Sequence, residues 1–188
     1  MRVFAYGSLM WNPGFVPARA EPGTLRGWSR RWCVESQLHR GTKDRPGVVL
    51  GLVPGGECTG MIYSVGPRDA HDVEAYLDRR ELCEGGYRKT LLDVDTRTGV
   101  LQAIAYVSEA DRPGVDLNKI IEAGGSSGSN LEYAIRTFEA LEALVGRLSE
   151  AEVGLCETSL STLRAAAGIG GAGTRPNGAK HGLQIQVA

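Results

Sequence analysis

The pattern of apolar and polar positions splits the chain into a strand-like first half and a helix-like remainder. Arg2-Val3-Phe4-Ala5-Tyr6 reads as a short strand halted by Gly7-Ser8. Residues 10–23 carry Pro13, Gly14, Pro17, Pro22 and Gly23, which predicts irregular chain. Residues 24–35, with Trp28, Trp32, Cys33 and Val34, predict a second strand. Residues 36–47, with His39-Arg40-Gly41-Thr42 and Pro46-Gly47, predict a polar loop. Val48–Val53, a turn at Pro54-Gly55-Gly56-Glu57, and Cys58–Val65 then predict a hairpin. Over residues 68–82 the apolar period changes to three and four, through Ala70, Val73 and Tyr76 or Leu77, which predicts a helix. Gly85-Gly86 ends it. Tyr87–Val94 and Val100–Val107 predict another hairpin across Asp95–Gly99.

After Pro113-Gly114 the character changes. Asp116–Ala123 reads as a short helix, and Asn130–Leu148 as a longer one with Leu131, Ala134, Ile135, Phe138, Leu141, Ala143 and Leu144 on its apolar side. Ser149-Glu150-Ala151-Glu152 is a capping-box pattern that predicts a further helix to about residue 167. Gly168–Ala188 is Gly-rich and lacks a helical period, so it is expected to be a flexible, dispensable tail behind one domain at residues 1–167. Strands before residue 107 and helices after it predict an α+β fold, and six or so short strands could close a small barrel.

Composition narrows the function classes. The 188 residues include 21 Lys+Arg and 22 Asp+Glu, a net charge of −1, which argues against a dedicated nucleic-acid binder. No apolar run is long enough to span a bilayer, and the N-terminal residues carry no signal core, so a cytoplasmic location is expected. Cys33, Cys58, Cys83 and Cys156 form no C-x-x-C pair and no zinc spacing with histidine, so they are expected to be reduced, and no metal site is expected. Glycine is the outlier at 26 residues, about twice ordinary usage, as tight turns or close backbone approach to a ligand would require.

Two motifs lack the context their chemistry needs. Gly168-Ile169-Gly170-Gly171-Ala172-Gly173 matches G-x-G-x-x-G but follows a predicted helix rather than a strand. Gly124-Gly125-Ser126-Ser127-Gly128 matches G-x-S-x-G but has no strand upstream, and reads as a helix-to-helix turn in which Ser129 or Asn130 caps the next helix. His39 and His71 read as a solvated loop residue and a solvated helix residue.

Two features carry chemistry. Tyr6-Gly7-Ser8-Leu9 sets a glycine and a hydroxyl where a strand ends. It is either an ordinary strand-to-loop turn or a concave row of amides suited to an anion. Glu81 lies four after Leu77 and eight after Val73, on the apolar stripe of its helix. A carboxylate there is either paired, with Arg80 or Arg88, or a desolvated base near neutral pH.

At these features the chain resembles the ChaC-like, glutathione-specific γ-glutamylcyclotransferase family. The match runs through Val3-Phe4-Ala5-Tyr6-Gly7-Ser8-Leu9-Met10-Trp11, Ser29-Arg30-Arg31-Trp32, His39-Arg40-Gly41-Thr42 and Pro46-Gly47. It continues in Tyr76-Leu77-Asp78-Arg79-Arg80-Glu81 with Gly85-Gly86-Tyr87, and in Ser127-Gly128-Ser129-Asn130-Leu131-Glu132-Tyr133. The resemblance covers about residues 1–150 and implies a small mixed β-barrel flanked by helices. It implies cleavage of reduced glutathione to 5-oxoproline and Cys-Gly, by attack of the γ-glutamyl α-amine on its own γ-carbonyl. Glu81 is then the general acid/base, with Tyr6, Gly7, Ser8, Leu9, Tyr87 and Tyr133 as substrate-binding residues. Neither metal nor cofactor is implied. The expected partner is the small-molecule substrate alone, with no nucleic acid or membrane, and a monomer is favoured. Two alternatives stay open: a cyclotransferase for other γ-glutamyl amines or amino acids, and a catalytically silent γ-glutamyl-binding module. Whether Glu84 shares the proton work with Glu81 is also open.

Overall fold

The computed structural model describes residues 1–109, 120, 122–154 and 156–157. Five strands close into a barrel in the order β1-β3-β2-β4-β5. They are β1 (Arg2–Ala5), β2 (Arg19–Ser36), β3 (Gly47–Ser64), β4 (Tyr87–Thr96) and β5 (Gly99–Ser108). Every pairing is antiparallel except the closing one, where β1 meets β5 in parallel at Val3 and Ile104. The barrel is therefore mixed, and the architecture is α+β as expected.

β2 and β3 differ from the sequence expectation. Residues 48–65 do not fold back as a hairpin; β3 runs straight through Pro54-Gly55-Gly56-Glu57 and pairs with β2 along its whole length. The physical reason is a matched irregularity. Arg26 pairs with Glu57 and Trp28 with Pro54, so Gly27 stands opposite Gly55-Gly56. All three glycines have positive φ, at 78°, 101° and 74°. A bulge on both strands lets them bend together round the barrel, where one strand alone would have turned. The irregular stretch also ends earlier than residue 23. β2 already pairs from Arg19, and it tolerates Pro22 where its other edge meets β4 only at Thr24 and Asp95.

Helix α1 (Ala70–Glu81) buries Val73 and Leu77 against the barrel, as its period predicts. Helix α2 (Asn130–Glu142) buries Tyr133, Ala134, Phe138 and Leu141. It stops at Glu142, short of residue 148, and a 3-10 turn at Val145–Arg147 follows. Ile135 stands off the buried side, 42% exposed. The barrel interior and the helices share one core, built on Phe4, Leu25, Leu52, Ile62, Leu77, Val94 and Tyr106.

Gly124–Gly125 (β6) and Gly128–Ser129 (β7) pair as a small ladder round Ser126-Ser127. No nucleophile elbow forms there; the Ser129 hydroxyl caps α2 by accepting from the Glu132 N–H at 3.1 Å. The capping box forms too, with Ser149 Oγ accepting from Glu152 N–H and Glu152 Oε2 from Ser149 N–H, each at 3.3 Å. Most of the expected helix at 116–123, the end of the last helix and the segment 168–188 lie outside the described residues.

Candidate active site

One wide cavity of about 520 Å³ opens between the turn after β1, the C-terminal end of α1, the β2–β3 loop and the first turn of α2. Ser8, Glu81, Tyr87 and Tyr133 line it, and the same four residues continue into a narrow recess behind, with Tyr6, Gly7, Leu9, Leu50 and Tyr106. The structure thus brings all seven sequence-predicted site residues, Tyr6, Gly7, Ser8, Leu9, Glu81, Tyr87 and Tyr133, to one recess.

The turn is shaped by its own backbone and by two arginines. Ser8–Met10 forms a 3-10 turn in which Met10 N–H donates to Gly7 O at 2.9 Å and Asn12 N–H to Ser8 O at 2.8 Å. The amides of Gly7, Ser8 and Leu9 find no backbone acceptor among the described residues. First-turn donors of this kind are left for water, side chains or a ligand. From below, Arg30 Nε donates to Tyr6 O at 2.8 Å. From the side, Arg80 donates through Nη2 to Ser8 Oγ at 3.0 Å and through Nη1 to Asn12 O at 2.7 Å. A Cβ at Gly7 would stand 3.0 Å from the Tyr133 hydroxyl, close enough that the tyrosine would have to shift by a few tenths of an ångström.

Glu81 ends α1 with its side chain 16% exposed. Arg80 Nε comes within 3.1 Å of Glu81 Oε1, yet its N–H is not aimed at that oxygen. Oε1 is buried and receives no hydrogen bond. Burial raises the Glu81 pKa above the ordinary carboxylate value, and the Arg80 charge opposes the rise only in part. Glu81 thus has an ion-pair neighbour in Arg80 and is desolvated as well.

The tyrosines around it are neutral, three of them donating and one accepting. Tyr6 OH donates to Tyr106 O at 2.6 Å, Tyr106 OH to Asp78 Oδ1 at 2.7 Å and Tyr87 OH to Leu50 O at 2.5 Å. Tyr133 OH accepts from Leu50 N–H at 3.2 Å. Burial pushes the pKa of all four upward, so none ionises near neutral pH. Among the described residues, Glu81 is the one carboxylate lining the recess.

Three more residues take up positions that the sequence does not disclose. Glu84 is spent on the β2–β3 loop: its carboxylate accepts from Ser36 Oγ at 3.0 Å and from the amides of Gln37 and Leu38 at 2.7 Å each. His39 is not a freely solvated loop residue. It lines the cavity, with Nδ1 2.9 Å from Ser127 Oγ and Nε2 3.4 Å from Cys83 Sγ. Arg30 is buried with Glu152, Nη1 to Oε1 at 2.9 Å, a partner that only the fold discloses. His71 is exposed, as expected. Among the described residues no group of three His, Cys, Asp or Glu side chains is placed to hold a metal. No described helix is long and apolar enough to cross a membrane.

Fold and site together define a small-barrel protein that sets one buried carboxylate against a glycine turn beneath an open cleft. The family model of ChaC-like proteins matches residues 1–158, and the chain belongs to that family. A mouse relative, glutathione-specific gamma-glutamylcyclotransferase 1, is 35% identical over 153 residues, covering 74% of this chain and 69% of its own. The Escherichia coli K12 glutathione-specific gamma-glutamylcyclotransferase is 32% identical over 140 residues, covering 70% of this chain and 61% of its own. In structure, the yeast gamma-glutamyl cyclotransferase specific to glutathione superposes with a TM-score of 0.77 at 22% identity, over 88% of this chain and 96% of that one. That likeness establishes the shared fold.

Proposed function

We propose that the protein cleaves reduced glutathione to 5-oxoproline and Cys-Gly as a γ-glutamylcyclotransferase, in the cytoplasm, as a monomer. One observation carries the proposal: the Glu81 carboxylate is buried, has one oxygen that no described donor meets, and shares its recess with the turn whose Gly7, Ser8 and Leu9 amides find no backbone acceptor among the described residues. The names of the similar proteins support the choice of substrate.

The chemistry follows from the parts. The γ-glutamyl α-amine arrives as an ammonium and cannot attack until it loses a proton. Glu81, desolvated, is the base that takes it. The freed amine attacks the γ-carbonyl of the same residue, so the nucleophile comes with the substrate and the fold has mainly to hold it bent. The Gly7, Ser8 and Leu9 amides grip the γ-glutamyl end and receive the charge that grows on the carbonyl oxygen. Glu81 returns its proton to the departing nitrogen as the amide bond breaks. The extra proton left on the ring nitrogen passes to the free amine, which leaves as an ammonium.

The test is a mass-spectrometric assay of purified protein with reduced glutathione. Equal amounts of 5-oxoproline and Cys-Gly are expected, and Glu81→Gln should lower turnover at least ~100-fold, the ordinary contribution of a positioned general acid/base. Near-normal turnover by that variant would refute the role of Glu81. Turnover of other γ-glutamyl amides but not glutathione would move the assignment to a sister substrate.

A further inference from the structure

The cavity is larger than the recess, and its outer chamber must receive whatever leaves. Two arginines line it, Arg40 and Arg80. Arg80 is committed: Nη1 to Asn12 O and Tyr76 Oη, Nη2 to Ser8 Oγ, and Nε beside Glu81. Arg40 is not. Its Nη1 donates to Ser129 O at 3.1 Å, and no acceptor among the described residues meets Nε or Nη2. The side chain is only 8% exposed. It lies against the rings of Trp11 and Tyr133, 5.6 and 5.5 Å from their centroids. The carboxylate near it, Glu132, stands 3.8 Å away, is half exposed, and is itself paired with Arg136 at 2.9 Å. A buried cation with spare donors and so weak a counter-charge is costly unless an anion completes it. Burial also lowers the Arg40 pKa, and Arg80 and Arg136 add to the local positive field.

Placement identifies the anion. Arg40 lines the wide chamber and not the recess, whereas Tyr133 belongs to both. The Tyr133 hydroxyl lies against Gly7 at the γ-glutamyl turn, and its ring lies under Arg40. The separation is thus about one tyrosine side chain. Two peptide residues reach at most about 7 Å, so a dipeptide leaving the recess can present its terminal carboxylate at Arg40.

We propose that Arg40 is the receptor for the C-terminal carboxylate of the leaving peptide, and that it selects γ-glutamyl peptides over neutral γ-glutamyl amines. The planar fork of a guanidinium suits a carboxylate in two parallel hydrogen bonds. The inference rests on the cyclotransferase reading above and adds the specificity determinant of its outer chamber.

The experiment compares two substrates, glutathione and its glycinamide analogue, which differs by loss of the terminal charge. Wild-type kcat/KM should favour glutathione by about 10- to 100-fold, the range for a hydrogen bond to a charged group, with the difference mainly in KM. In Arg40→Gln the glutathione value should fall, and the ratio between the substrates should collapse toward one. That ratio is insensitive to general damage to the fold. Competitive inhibition of the wild type by Cys-Gly and by Cys-Gly amide gives a readout without any substitution, with Cys-Gly expected to bind at least ~10-fold tighter. Equal wild-type kcat/KM for the two substrates, a preference that survives in Arg40→Gln, or equal inhibition constants would each overturn the proposal. Failure of the wild type to turn over either substrate would instead refute the cyclotransferase reading, and this inference with it.

Discussion

Replacing Glu152 with leucine should cost more stability than any surface change and should also disturb a turn that it does not touch. The side chains of Arg30 and Glu152 are 1% and 4% exposed. Glu152 Oε1 accepts from Arg30 Nη1 at 2.9 Å and from Thr59 N–H at 2.8 Å, while Oε2 completes the capping box at Ser149. Arg30 spends Nε on Tyr6 O and Nη2 on Thr59 O. Glu152→Leu fills the space but strands the buried guanidinium, for which a loss of about 3–5 kcal/mol is expected. For a chain of this size roughly 3 °C of melting temperature accompanies each kcal/mol, so the midpoint should drop by about 10–15 °C. Thermal unfolding followed by circular dichroism reads this directly. The double variant Arg30→Met with Glu152→Leu should lose at least about 2 kcal/mol less than the sum of the single losses, because no bare charge remains. It should not recover fully, since the carbonyls of Tyr6 and Thr59 lose a donor. Arg30→Met should also lower kcat, because Tyr6 O anchors the glycine turn. Strictly additive losses, or a Glu152→Leu midpoint within a degree or two of wild type, would refute the view that this pair ties the last helix to the barrel.

Four other outcomes follow from the geometry. Glu81→Gln should raise the melting temperature at pH 7. The folded state raises the carboxylate pKa, so it holds more protons than the unfolded chain, and wild-type stability falls as pH climbs from the ordinary carboxylate value through the raised one. The advantage of the variant should vanish below about pH 4, where both states are protonated; the same advantage at pH 3 and pH 7 would contradict this. Gly7→Ala places a Cβ 3.0 Å from the Tyr133 hydroxyl, so kcat/KM for glutathione should fall at least ~10-fold as reacting groups shift out of line. Gly41→Ala would bring a Cβ within 2.1 Å of Gly47 N and 2.5 Å of Ser36 O, both rigid backbone, and the variant should fail to give a cooperative melt. Glu84→Gln should raise KM several-fold through a loosened β2–β3 loop while leaving the acid limb of the kcat profile in place. A shifted limb would show that Glu84 shares the proton work.

Much of this was legible in the chain, for identifiable reasons. Glu81 could be found because a helical period is local, and Val73, Leu77 and Glu81 fall on one side within two turns. The Ser149–Glu152 box is local as well. Tyr87 and Tyr133 carry no such local signal, and only the family resemblance points to them, because what brings them together is the backbone of Leu50, which both hydroxyls meet. The run through Pro54-Gly55-Gly56 reads as a turn because its turn chemistry is genuine. What keeps the strand extended is Gly27, nearly 30 residues earlier, which bends the partner by a matching amount. Glu152 shows its helix cap to sequence reasoning and hides its ion pair, whose partner stands 122 residues away. Arg40 stands out in sequence as part of a motif, but its spare donors depend on which acceptors the fold sets around it.

The single parallel contact between β1 and β5 has a consequence for how the chain is made. β1 carries Val3, Phe4 and Ala5, all fully buried in the finished barrel. Its antiparallel partner is Met61–Ser64 and its parallel partner is Ile104. β1, made before the other four barrel strands, is therefore among the last to be covered, and at about 5–20 residues per second it waits roughly 5–20 s for its far neighbour to leave the ribosome. Such distant pairing also slows folding after release. During that interval an apolar edge lies open beside the segment that becomes the Tyr6–Leu9 turn. Expression yield should then respond to chaperone supply and to growth temperature more sharply than the melting temperature of the mature protein would suggest.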